Sequence, residues 1–562
     1  MHYELCVEIR IFNPEKIHNE HITLLYLLNM EKGQDQKPDS CRMCGRRNFL
    51  FKLAALTGAS MIPGELLATL PTPVPANAMP DKNGAVKVRI LFSYHGADVQ
   101  DRPDWPNVGY DFRPFMSRIT DALNAGVKDV EFIPTKTNSS EDAKKIIEED
   151  DQKGDIVGYV VCQMNCWNSA IAAVAEAGKP VLYIPLTYGG DGGWLLSVSL
   201  FQRDDRPFEM MTAFHFEDVV GMAQAFAALK DGTPMDFKQK AKAWRIEHTP
   251  KTCQAVAKAD HVKCLPTEKA LAKLKGMKIL SVQNSNPDLF QKIEKDFGIQ
   301  IEVVSFTDVD AKADQVNEKK AWKLANKWKN EARAVEAVSD DVLFGCAKMY
   351  YGMEQILKEH KAQAITINCL GGCYTGKLKN YPCLGFMQLQ DDGLFGVCED
   401  DIDATVTMMV FHTLTKGRMG YVSDPALDIT KRSIVYAHCV STRKYFGKKS
   451  KQSPYEILTH SEDRQGASVR TIAPEGYPVT TVKFSILNST MSIHTAVTTG
   501  NDPDDRACRT KIVAEVTGDY EKMYHTWDWG HFGWHRVTFL GDFAQEAVAL
   551  AHKIGYKVDY ES

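Results

Sequence analysis

No stretch of this 562-residue chain is apolar over the roughly 20 residues that a bilayer-spanning helix needs, which argues against a helical membrane protein. An excess of one charge is missing too: 67 Lys and Arg stand against 72 Asp and Glu, a formal net charge of −5. That balance offers no broad basic surface for a phosphate backbone, so nucleic acid is not an expected partner. Internal repeats and low-complexity tracts are absent, which argues against a solenoid or a disordered array. Of the fourteen cysteines, Cys6, Cys41 and Cys44 precede residue 79, and the eleven others are scattered through a long chain. An odd, dispersed set is no disulfide framework.

What is present begins with an export signal. Arg46-Arg47-Asn48-Phe49-Leu50 sets two arginines before an apolar stretch, Phe49 to Ile62, which has the length of a signal h-region. Pro71, Pro73 and Pro75 follow, then Ala76-Asn77-Ala78, an A-x-A cleavage site. The layout predicts a twin-arginine signal over 43–78, with Met43 as initiator and residues 1–42 a start-site artefact. The mature chain is expected to start near Met79, to span roughly 480 residues, and to work in the periplasm or beyond without stable membrane insertion. Proteins on this route fold before export, which suits a cofactor or metal loaded in the cytoplasm and thiols that stay mostly free.

From Val86 onward, short apolar runs alternate with amphipathic stretches. Val88 to Phe92, Val130 to Ile133, Ile156 to Cys162 and Pro180 to Ile184 read as strands, with helical patterns such as Phe115 to Ala125 and Asn168 to Ala177 between them. A second set of strands, Met277 to Val282, Ile301 to Phe306 and Ala364 to Asn368, follows a polar region at 230–263. Lys319 to Val338 and Asp341 to Lys361 read as long helices, and Pro382 to Phe386 as a buried strand. After about residue 430 the runs become β-rich between turns, as in Ser433 to Ala437 and Arg536 to Leu540. The expected architecture is α/β: two Rossmann-like domains with parallel sheets (79–262 and 263–429), then a β-rich, barrel-like domain (430–562). Ligands gather at the carboxyl ends of parallel strands. His95, Gln163 and Asn165 at those ends are therefore candidate substrate contacts.

Chemistry concentrates in the last third. Val397-Cys398-Glu399-Asp400-Asp401-Ile402-Asp403 is an acidic cluster opening a helix, where acids also serve as caps and offset the helix dipole. An apolar strand ends at His438, and Trp534-His535 lies in an aromatic, glycine-rich loop before another strand. A carboxylate and two imidazoles at element ends are what a Mn²⁺ or Zn²⁺ site uses, although isolated histidines of this kind are often core residues. Trp534 and Arg443, which follows the His438 strand, are further candidate substrate contacts.

At Pro382 to Thr405, at the strand ending in His438, and from Trp534 through Tyr560, the chain resembles the L-fucose/L-arabinose isomerase superfamily, nearest its fucose-isomerase-like branch. The resemblance spans most of 86–562, but its specific motifs lie in the last third. It implies two Rossmann-like domains and a barrel-like one, a homotrimer or homohexamer with sites at subunit contacts, and Mn²⁺-dependent interconversion of aldoses and ketoses. It further implies Glu399, His438 and His535 as metal ligands, with first-domain loops near His95 or Gln163 completing a neighbour's site.

One departure matters. The superfamily's first acidic ligand falls near 368–376, where this chain reads Asn368-Cys369-Leu370-Gly371-Gly372-Cys373-Tyr374-Thr375-Gly376, with no carboxylate. Asp401 or Asp403 is one replacement; Cys369 or Cys373, softening the site toward Zn²⁺, is another. A third possibility is a different reaction. The expected catalytic residues are thus Glu399, Asp401 and Cys369. The expected function is an exported, metal-dependent sugar isomerase-like enzyme acting through an ene-diolate. The alternatives are an epimerase or lyase on oxidised sugars or glycosides, and a non-catalytic periplasmic sugar-binding protein.

Overall fold

Continuous runs of β-branched and large apolar residues are the mark of strands covered on both faces, and the first sheet is built from them. Its strands are β1 (Val86–Ser93), β2 (Val130–Thr137), β3 (Ile156–Gln163), β4 (Val181–Pro185) and β5 (Phe208–Met210), all parallel in the order β2-β1-β3-β4-β5. Pro134 sits in β2, an edge strand, where its missing N–H breaks no ladder. Strand order reverses between β1 and β3, and a crevice opens at their carboxyl ends, the place where such sheets bind ligands.

The computed structural model describes residues 84–195, 201, 206–212 and 215–562. The twin-arginine segment and its A-x-A site lie outside the described residues. Among the described residues no helix is long and apolar enough to cross a membrane.

A second parallel sheet repeats the plan. β6 (Lys278–Val282) and β7 (Gln300–Val304) are followed by a two-residue strand, β8 (Val335–Glu336), then by β9 (Ala364–Ile367) and β10 (Phe395–Cys398). The order is β10-β9-β6-β7, with β8 apart from it. Two local expectations fail here. Pro382 to Phe386 belongs to a helix, Cys383–Asp391, not a strand; all nine of its residues are buried, so no polar face shows a helical period. The helix expected to run to Val338 stops at Glu331, because the chain beyond it is drawn into β8.

The remaining strands are β11 (Tyr421–Asp428), β12 (Ser433–His438), β13 (Tyr455–Leu458), β14 (Ser468–Thr471), β15 (Pro478–Ser485), β16 (Thr490–Asn501), β17 (Thr510–Val516), β18 (Arg536–Leu540) and β19 (Lys557–Tyr560). Six of them close an antiparallel ring, β15-β18-β11-β12-β17-β16 and back to β15, and closure leaves the ring without an open edge. β19 pairs with β16 in parallel, and β13 joins β14 to β8, tying the ring to the second sheet. The ring starts at Tyr421, ahead of residue 430, where the sequence changes character.

Candidate metal centre

Three of the ring's strands bring polar groups to one end. β11 lies between β12 and β18, pairing Asp424 with Ala437 on one side and Ser423 with Arg536 on the other. His438, the last residue of β12, and His535, the residue before β18, therefore flank Asp424. The imidazole Nε2 atoms are 3.3 Å apart, and His535 Nε2 is 3.4 Å from Asp424 Oδ1.

Glu399 arrives from the second sheet. Directly after β10, Glu399 and Asp400 take φ of 61° and 51°, a left-handed conformation that costs a non-glycine residue on the order of 1–3 kcal/mol. Two such residues in succession turn the chain sharply into the helix Ile402–Leu414 and bring the Glu399 carboxylate to the histidines. Its oxygens lie 3.8 Å from His438 Nε2 and 3.6 Å from His535 Nε2. The ligand atoms of Glu399, Asp424, His438 and His535 all lie within 4.8 Å of one another. Donors about 2.0–2.2 Å from one ion stand roughly 3–4 Å apart, so two carboxylates and two imidazoles here fit a divalent ion.

Asp401 stands behind this set rather than in it. Its Oδ1 caps the helix by accepting from Ala404 N at 2.7 Å, and its Oδ2 receives His535 Nδ1 at 2.9 Å and Lys483 Nζ at 2.5 Å. Burial opposes its charge, but Lys483 and His535 more than offset that and hold the carboxyl well below the usual range. An ionised Asp401 keeps the His535 proton on Nδ1 and turns the Nε2 lone pair toward the cluster, the arrangement that orients metal-binding histidines elsewhere. Asp401, expected as a catalytic carboxylate, thus stands beside the cluster as the hydrogen-bond partner of His535.

The second carboxylate is Asp424, not Asp403 or a cysteine. Asp403 is half-buried on the helix that Asp401 caps and is absent from the cluster. Cys369 is buried and packed toward Cys398, also apart from the cluster. The four ligands are costly neighbours as they stand. Burial, with Cys439 and Asp401 nearby, raises Glu399 to about 7; burial also raises Asp424 well above the carboxylate range and lowers His438 to about 3. A cation reverses each of these penalties.

The centre opens on a pocket lined by Trp105, Cys166, Trp167, Gly192, Leu195, Leu370, Glu462 and Trp534, with Glu399 and Asp424 at its base. The water-sized space within it is about 30 Å³, enough for about two waters. Trp167 meets Trp534 edge to face at 5.7 Å, and Trp534 Nε1 donates to Glu399 Oε2 at 3.4 Å. Gly192 must be glycine, because a Cβ there would collide with Cys166 Sγ. Trp105, Trp167 and Gly192 come from the loops of the first parallel sheet.

Of the expected substrate contacts, Trp534 lines the pocket and four others do not. Asn165 is fully buried; its Nδ2 donates to Trp105 O at 2.9 Å and Gln100 Oε1 at 2.8 Å, and its Oδ1 accepts from His95 N at 3.1 Å. Gln163, also fully buried, donates to Asn165 O at 2.9 Å and accepts from Tyr183 OH at 3.2 Å. His95 Nε2 bonds Asp104 Oδ2 at 2.7 Å, and the same carboxylate receives Trp105 N at 2.7 Å and Trp167 N at 3.3 Å. Through these bonds the three residues brace the loops that carry Trp105 and Trp167. Arg443 is farther off, with its Nε on Asp391 Oδ2 at 2.6 Å and its Nη2 on Gln388 Oε1 at 3.0 Å, buried in an ion pair that joins the helix Cys383–Asp391 to the loop after β12.

No protein-family model matches the chain, and no curated protein matches it. Among solved structures, an ABC transporter solute-binding protein from Burkholderia multivorans aligns over 59% of this chain and 95% of its own, at 12% identity and a TM-score of 0.15. A thioesterase of the prodiginine biosynthetic pathway from Streptomyces coelicolor aligns over 48% of this chain and 91% of its own, at 10% identity and a TM-score of 0.13. Scores this low carry no argument about function. The chemistry rests on the residues themselves, and two of the most informative, Asp424 and Glu462, went unmarked in the sequence. Asp424 lies in Tyr421–Asp428, a run that also holds Ser423 and Asp428, so the local pattern does not single it out, although an acid buried in a strand must find a partner or an ion. Glu462 sits in His460-Ser461-Glu462-Asp463, which reads as an ordinary polar loop.

Proposed function

We propose that this chain is a metal-dependent enzyme that removes a proton from a carbon beside the carbonyl of a small carbohydrate, in the manner of an aldose–ketose isomerase. The observation that carries it is the set Glu399, Asp424, His438 and His535 at the base of a tryptophan-walled pocket. A bound dication would supply the Lewis acidity that such chemistry needs, and Mn²⁺ suits mixed imidazole and carboxylate donors, with Zn²⁺ the second choice. The chain's own part is to hold His535 in one tautomer through Asp401, to offer apolar ring faces to the sugar's C–H surface, and to keep bulk water out. Export through the twin-arginine motif and assembly into a trimer or hexamer belong to the same proposal.

The epimerase or lyase reading shares the enolate and draws support from the missing carboxylate at 368–376. One experiment separates the readings. Purified protein is analysed for metal, loaded with Mn²⁺, and incubated in D₂O with a panel of aldoses, ketoses and keto-glycosides under NMR. Isomerisation gives C–H exchange with aldose and ketose interconverting; elimination or epimerisation gives exchange with other products. A bound ion with no exchange on any sugar leaves the sugar-binding protein.

A further inference from the structure

Glu462 is more than nine-tenths buried, yet it lines the same pocket as Glu399 and Asp424. Its two oxygens are treated differently. Oε2 accepts a hydrogen bond from Tyr374 OH at 2.6 Å, while Oε1 has no hydrogen-bond partner among the described residues. The backbone around it is pinned: Val108 N donates to Glu462 O at 2.7 Å, His460 N to Gln465 O at 2.7 Å, and Arg509 Nε to Thr459 O at 2.8 Å. A carboxylate this constrained, with one oxygen held and the other free toward a ligand pocket, is what a general base requires. Tyr374 lies in the segment Asn368 to Gly376, where the expected acid is missing. That segment supplies a phenol that holds a carboxylate delivered from the loop after β13.

We infer that Glu462 is the proton-transferring carboxylate of this site and that Tyr374 positions it. The inference rests on the proposed carbohydrate chemistry and names the group that performs it. Glu462 takes the proton from the carbon next to the carbonyl. The C–H electron pair becomes the carbon–carbon double bond, and the carbonyl pair moves onto oxygen. Returning the proton to the former carbonyl carbon, while the neighbouring hydroxyl passes its proton to the former carbonyl oxygen and becomes the new carbonyl, completes an aldose–ketose exchange with no net oxidation. Burial raises Glu462 to about 8, which matches a group that must both take and give a proton near neutral pH.

The test compares wild type, Glu462→Gln and Tyr374→Phe, each loaded with Mn²⁺ and followed by calorimetric Mn²⁺ titration and by C–H exchange in D₂O. Glu462→Gln should keep Mn²⁺ affinity within about 3-fold and lose exchange by roughly 10²–10⁴-fold, the usual worth of a general base. Tyr374→Phe should lower kcat about 10-fold with KM and Mn²⁺ affinity unchanged. Exchange at the wild-type rate in Glu462→Gln overturns the inference and leaves the metal enzyme standing. A Glu462→Gln variant that no longer binds Mn²⁺ also overturns it, making Glu462 part of the ion site. Absence of exchange in the wild type overturns the underlying carbohydrate chemistry, and the inference falls with it.

Discussion

The rim of the antiparallel ring and the loops of the first parallel sheet meet in one pocket but are held there by different forces. The ring contributes Asp424, His438 and His535, whose positions follow from backbone register between β18, β11 and β12. The first sheet contributes Trp105 and Trp167, whose positions follow from side-chain hydrogen bonds through His95, Asp104 and Asn165. Register cannot be changed by removing one side chain; a polar brace can. The four-residue cluster is therefore the rigid half and the tryptophan wall the adjustable half.

The largest effect should come from the rigid half. His438→Ala and Glu399→Gln each remove a ligand and should weaken Mn²⁺ binding by 100-fold or more, read by titration, while far-ultraviolet circular dichroism stays native. Next is Asp401→Asn, which leaves all four ligands but loosens His535. Loss of such a supporting group typically costs about 10–100-fold in metal affinity, and unchanged affinity would show that ring packing alone holds the imidazole. Smaller again, and on the adjustable half, Asn165→Ala strands Trp105 O and His95 N, at about 1–3 kcal/mol of stability. Its Mn²⁺ affinity should not change, whereas KM for any substrate found should rise. If metal affinity falls as well, the two halves are not separate.

The smallest effect is in pH. Glu399 is raised to about 7 from an ordinary 4.5, so the metal-free fold prefers it protonated. That contribution to stability is fully present below about 4.5 and is lost as pH rises through 7. An ion needs the carboxylate form, so the stabilisation by Mn²⁺ should grow across the same window. Melting with and without Mn²⁺ should show a wider gap at pH 8 than at pH 5.5, and an equal gap would mean that Glu399 is not a ligand.

Much of the fold is legible in the sequence, for physical reasons. Strands buried on both faces, such as Ile156–Gln163, leave unbroken apolar runs, and Gly-, Pro- and Asp-rich turns mark their ends. The helix Pro234–His248 lies in the region that reads as merely polar, although Thr233 and Asp236 form a capping box that announces it. Glu399, His438 and His535 are legible because each stands at an element end. Asp424 is not, since its place beside His535 depends on strand register that no local pattern encodes. His95, Gln163 and Asn165 mark the right crevice, but polar groups at a strand end can brace a wall as well as touch a ligand, and only hydrogen-bond partners separate the two.

The most direct test of the ion site is an equilibrium Mn²⁺ titration of the metal-stripped wild type and of Asp424→Asn at pH 8. Asp424 is the ligand that neither the superfamily resemblance nor the sequence pattern singled out. One ion per wild-type chain, with affinity at least 10-fold weaker in Asp424→Asn, is the predicted result. Binding that is absent in the wild type, or identical in the two proteins, would contradict a centre built from Glu399, Asp424, His438 and His535.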